Sequence, residues 1–159
     1  MNKRIADHEQ RREALDTSRS FIVQAPAGSG KTTLLIQRYL KLLAIAKQPE
    51  EIIAITFTRK AAAEMRNRIM DAFRLAHGEM PDTEHEQQLW KIAHEASKRD
   101  EQEGWQLTNN PGRLRIQTID ALTSQLVRMM PMLSQSGGAL SPTYWSLPLY
   151  WFESRNTLL

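Results

Sequence analysis

Apolar residues recur along this chain with two spacings. Ser20-Phe21-Ile22-Val23-Gln24, Glu51-Ile52-Ile53-Ala54-Ile55-Thr56-Phe57 and a run beginning Leu114-Arg115-Ile116 are short and rich in β-branched and aromatic residues, as buried strands are. Thr32–Leu43 and Ala61–Met70 follow the first two runs with helical patterns, Gln87–Arg99 is helical and highly charged, and Leu122–Met130 is helical again. The order β–α–β–α predicts an α/β fold with a parallel sheet and crossover helices. Asn109-Asn110-Pro111-Gly112 marks a turn, and Pro131 must end the last helix.

The junction after the first run carries the clearest chemistry. Ala25-Pro26-Ala27-Gly28-Ser29-Gly30-Lys31-Thr32-Thr33 has the form G-x-x-x-x-G-K-[ST] of a phosphate-binding P-loop, with Ala25 in place of the first glycine. Small residues let successive N–H groups turn toward phosphate oxygens, and close approach falls at Gly28 and Gly30, so alanine at position 25 is tolerable. The loop opens a helix, whose free N–H donors and positive dipole end attract phosphate. Lys31 would reach the β- and γ-phosphates, and the Thr32 hydroxyl would ligate Mg²⁺. ATP or GTP is the first ligand to consider.

Composition narrows the setting. The chain has 159 residues, enough for one domain with a core or part of a larger one. It has no run of roughly eighteen apolar residues and no signal-peptide core after Met1-Asn2-Lys3-Arg4, so neither a membrane span nor secretion is expected, and a cytoplasmic location is. With no cysteine, thiolate metal sites are excluded, and His8, His77, His85 and His94 lack ligand spacing and read as surface residues. A net charge of +3 permits a DNA partner without arguing for one.

A parallel sheet would place Thr56, Phe57, Thr58, Arg59 and Lys60 at its carboxyl edge, on the same rim as the P-loop. An aromatic ring beside hydroxyls and cations suits single-stranded nucleic acid, with bases stacked on Phe57 and phosphates at Arg59 and Lys60. The residues alone leave a second reading open, in which Phe57 is core and the cations face solvent.

Together, Gln10, APAGSGKTT and IIAITFTRKAAAEMRNRI resemble the N-terminal part of a superfamily 1 DNA helicase of the UvrD/Rep group, on the RecB-like or AddA-like branch of the ATP-dependent exonuclease V β-subunit type. The resemblance implies that Gln10, within Asp7–Leu15, reads the adenine edge, which an amide can do by donating and accepting at once. It implies ATP and Mg²⁺ at Ala25, Ala27, Gly28, Ser29, Gly30, Lys31, Thr32 and Thr33. It implies single-stranded DNA at Thr56, Phe57, Thr58, Arg59 and Lys60, though the family more often has Asn where Arg59 stands. Leu114–Leu122 resembles a further DNA-contacting motif in which Thr118 touches the strand; the family commonly has His at the position of Asp120. Asp120 also ends an apolar run in the manner of a Walker B acid, making it a weak candidate for holding Mg²⁺, but no acid follows at Ala121 to orient water.

The expected architecture is a P-loop (RecA-like) parallel sheet with flanking helices, an incomplete first helicase lobe with a helical insertion. Its divisions are an ATP-binding core at 1–74, a charged helical insertion at 75–113, a strand–helix DNA-contacting motif at 114–133, and an atypical tail at 134–159. The tail holds two of the four tryptophans and two of the three tyrosines and has no match in the family, which suggests truncation or a shifted reading frame. Asp100-Glu101, the only Asp-Glu pair, lies in a helical, polar stretch and reads as a solvated face. With no Walker B Asp-Glu, arginine finger or second lobe, ATP binding is expected and turnover by this chain alone is not. The expected role is the ATP-binding, DNA-contacting part of an ATP-dependent helicase/exonuclease, with a possible partner subunit. The alternatives are a non-catalytic ATP- or DNA-binding remnant and a small P-loop kinase.

Overall fold

A computed structural model describes residues 8–129. The tail expected at 134–159 lies outside the described residues, as do positions 130–133 and the side chain of His85. Helix α1 is His8–Ala14, α2 is Lys31–Leu43, α3 is Arg59–Ala76, α4 is Glu84–Glu103 and α5 is Ile119–Met129; strands β1 and β2 are Ile53–Thr56 and Arg115–Thr118. The strands pair in parallel, from Ile53 beside Arg115 to Thr56 beside Thr118. A parallel pair cannot be joined by a tight turn, and here α3 and α4 lie in the connection. The α/β character and parallel sheet read from the sequence are both present.

The core forms where helical spacing brings apolar side chains onto one face. Leu40 and Leu43 of α2, Ile69 and Phe73 of α3, and Ala93 and Ala96 of α4 are all essentially inaccessible. Helix α4 packs on α3 and α2, and α3 also packs on both strands. The charged composition of Gln87–Arg99 therefore conceals a narrow stripe of small apolar residues, and alanines let the helices approach closely. After α4, Gly104 takes a left-handed conformation (φ 65°) that few other residues adopt without strain, and turns Trp105 and Leu107 into the core.

Two expectations are corrected. Ser20–Gln24 forms no strand: Ile22 is 100% exposed, and among the described residues no backbone hydrogen bond joins this segment to β1 or β2. β-Branched composition favours an extended chain, but a strand also needs a ladder partner, and β1 and β2 take each other. Asp100 is not on a solvated face. It is buried, and its carboxylate accepts a hydrogen bond from the Leu107 N–H at 3.1 Å, closing the turn after α4.

The alternation along β1 turns Ala54 toward the core and leaves Ile53 and Ile55 half exposed. Helix α5 opens the second of two compact units, which begins at Asp120, and contains no buried residue among those described. None of the described helices is long and apolar enough to cross a membrane.

Just before the two strands, Arg113 grips Glu50 with Nε at 2.6 Å and Nη2 at 3.1 Å, a forked pair that sets the strand starts side by side. This hydrogen bond holds the Glu50 carboxyl below its ordinary pKa, with the guanidinium charge acting in the same sense. A lowered folded-state pKa gives stability that is present above the unfolded value, about 4.3, and is lost as pH falls through the folded value. Glu50→Gln is expected to lower the melting temperature at pH 7, and the gap from wild type should narrow between about pH 5 and pH 3. Thermal melts of both proteins across that range check it.

Candidate functional site

The P-loop spans the turn between the extended segment 20–24 and α2. Gly28 and Gly30 sit at φ 77° and 81°, conformations costly for any residue with a Cβ, and Gly30 caps α2 without a side-chain bond to the helix N–H groups. The Lys31 ammonium folds back over the loop and donates to the carbonyls of Ala25 and Pro26, both at 2.6 Å. Ser29 Oγ is buried and has no hydrogen-bond partner among the described residues. A buried hydroxyl without a partner is costly unless a ligand completes it. Thr32 is exposed in the first turn of α2, and Thr33 is half-buried.

A cavity of about 440 Å³ lies beside this loop, lined by Ala25, Ser29 and Lys31 together with Gln10 and Arg11 of α1. That volume is within the range of small-molecule sites. The tertiary structure thus brings Gln10, well upstream in sequence, to the wall of the same cavity as the P-loop. Phe21, Ile22 and Val23 complete an apolar side.

What holds α1 there is a residue that sequence pattern does not single out. Arg38, on α2, donates to the carbonyls of Ala14 at 2.7 Å, Asp16 at 2.8 Å and Arg19 at 2.6 Å, so it gathers the whole connection between α1 and the P-loop segment. Its guanidinium also lies over the Phe21 ring, 5.3 Å from the centroid, with Arg19 over the same ring at 5.1 Å. Within the connection, the Asp16 carboxylate accepts from the hydroxyl and N–H of Ser18, which holds its pKa below the ordinary value. The only sequence signal for Arg38 is a cation on an otherwise buried side of an amphipathic helix.

The carboxyl ends of the strands form a second cluster. The register sets Thr56 directly beside Thr118, which is buried. Phe57 is 92% exposed, so it is not a core residue. Thr58 caps α3 by accepting from the Ala61 N–H at 3.1 Å, while Thr56 Oγ1 donates to the Thr58 carbonyl. Arg59 and Lys60 then occupy the first turn of α3, exposed, with no acidic residue in that turn. Cations there oppose the helix dipole, at about 0.3–1 kcal/mol each, a cost that a bound anion offsets. Asp120 stands in the first turn of α5, exposed, in the second unit of the chain. Among the described residues no group of three or more histidines or acids is placed to hold a metal ion.

These features coincide with the comparisons to known proteins. The family described as UvrD/REP helicase N-terminal domain matches residues 6–148, and the chain belongs to that family. Over 64 residues it is 44% identical to an ATP-dependent helicase/nuclease subunit of Lactobacillus helveticus, covering 40% of this chain and 5% of the relative. Over 75 residues it is 45% identical to DNA helicase II of Salmonella typhimurium, covering 46% of this chain and 10% of the relative. Over 93 residues it is 36% identical to the corresponding helicase/nuclease subunit of Clostridium perfringens, covering 56% of this chain and 7% of the relative. The matched segments are therefore a small part of those relatives' length. No solved structure matches the chain.

Arg38→Ala strips three carbonyls of a charged donor and is expected to destabilise the fold by about 2–3 kcal/mol. Arg38→Lys should recover only part of this, because one ammonium cannot fork among separated carbonyls. Urea unfolding of the three proteins measures both.

Proposed function

We propose that this chain is the ATP-binding and single-stranded-DNA-contacting N-terminal part of an ATP-dependent DNA helicase/exonuclease, acting in DNA unwinding, recombination and repair. The observation that carries the reading is that Gln10 lines the same cavity as Ser29 and Lys31. A ligand that carries both a base and a polyphosphate needs an amide and a phosphate loop within one cavity.

The residues present fit such a ligand. The Lys31 ammonium has three donors and spends two on the loop's own carbonyls, contacts that phosphate oxygens can replace. Ser29 Oγ has a hydrogen bond to give, and the uncapped start of α2 offers backbone N–H groups. Gln10 would present its amide to the adenine edge, and Thr32 would hold Mg²⁺, which neutralises phosphate charge when bound. Ala25, Ala27, Gly28, Gly30 and Thr33 shape the cradle.

For DNA, the strand-end cluster supplies an exposed ring at Phe57, hydroxyls at Thr56, Thr58 and Thr118, and cations at Arg59 and Lys60. Base stacking on Phe57 and phosphate neutralisation by the first turn of α3 are both independent of base sequence. The helicase/nuclease names of the relatives make a partner subunit part of this proposal. The non-catalytic alternative draws support from Asp100, because the acid of the only Asp-Glu pair is occupied in closing a turn.

Lys31→Ala is expected to abolish ATP binding, measured by calorimetry with Mg²⁺ present; retained affinity removes the P-loop from the proposal. Phe57→Ala is expected to weaken single-stranded DNA binding by about 1–3 kcal/mol in fluorescence anisotropy with unchanged folding, and equal binding removes the stacking role.

A further inference from the structure

We infer that Arg11 is a positioning residue for the phosphate-binding loop, setting the direction of the peptide between Ser29 and Gly30. Arg11 follows Gln10 on α1, and its guanidinium Nη2 donates to the Ser29 carbonyl across 18 positions of sequence. The same guanidinium closely approaches the loop: a Cβ built on Gly30 would come within 3.3 Å of Nη1 and 3.9 Å of Nη2. Glycine at this position thus serves two ends, the left-handed φ of 81° and the close approach of the arginine.

A trans peptide is planar, with its C=O and N–H pointing in opposite directions. By holding the Ser29 carbonyl, Arg11 fixes the plane of this peptide and with it the direction of the Gly30 N–H on the opposite edge. Lys31 secures the other end of the loop through the carbonyls of Ala25 and Pro26. The loop is therefore held at its beginning by a residue that would itself meet phosphate, and at its end by one that works through the backbone. Because Gln10 and Arg11 are adjacent on α1, base contact and loop shape become coupled through one short helix.

The inference rests on the nucleotide-binding reading, and its test separates the two. The full chain and its variants are titrated calorimetrically with Mg²⁺ and either ATP or inorganic tripolyphosphate, which has the phosphates without the base. Wild type should bind both. Arg11→Ala should weaken both by a similar factor, about tenfold, as loss of one charge-assisted hydrogen bond implies. Gln10→Ala should weaken ATP and leave tripolyphosphate unchanged. If Arg11→Ala proves unfolded in a thermal melt, Arg11→Lys, which keeps the charge without the fork, should show a smaller loss shared by both probes.

Unchanged binding by a folded Arg11 variant overturns the inference alone. A loss confined to ATP also overturns it, because Arg11 would then merely seat α1 and Gln10. Failure of wild type to bind either probe overturns the inference together with the nucleotide reading.

Discussion

The structure depends on how its irregular backbone satisfies its carbonyl oxygens. With two short strands among the described residues and long connections, many carbonyls have neither a ladder nor a helix to receive a hydrogen bond. Arginines take up the task. Arg38 collects Ala14, Asp16 and Arg19; Arg99 reaches Ala46; Arg66 reaches Ile116 in β2; Arg113 reaches Trp105; and Arg11 reaches Ser29. Guanidinium suits this role because it stays charged and presents several donors in a fixed plane. Part of the basic composition is therefore spent on holding the backbone together.

This internal use of cations explains how a site assembles from segments that lack regular structure. The stretch from Leu15 to Gly30 has neither helix nor strand, yet it positions both α1 and the P-loop. Arg38 fixes its first part to α2, Lys31 and Arg11 fix its last, and Phe21 lies beneath two guanidinium groups. Helix α2 is the common support: its buried face packs on α3 and α4, its first residue is Lys31, which ties down the P-loop, and its middle carries the Arg38 clamp. A disturbance to α2 packing would reach the cavity beside the P-loop and the core together.

At the carboxyl ends of the strands, register brings distant residues together. Parallel pairing puts Thr56 and Thr118 side by side although the whole of α3 and α4 separates them in sequence. The turn of chain at Phe57 then presents an exposed ring, and the cap at Thr58 points the first turn of α3 outward with its two cations. The family match spans residues 6–148 and so takes in both the P-loop and this strand-end cluster, while the matched relatives are many times longer.

What the sequence by itself determined is local. Helical spacing announced α2, α3, α4 and α5; the β-branched runs announced β1 and β2; and Gly28, Gly30, Lys31 and Thr32 announced the phosphate loop, because each of these follows from neighbours within a few residues. What only the tertiary structure decided is partnership. Nothing near Ile22 in sequence shows that its segment finds no strand to pair with, nothing near Asp100 shows that Leu107 will cover it, and nothing near Arg38 or Arg11 reveals which distant carbonyls they hold. A hydrogen bond across tens of residues depends on where two segments meet in space, and local pattern carries no record of that.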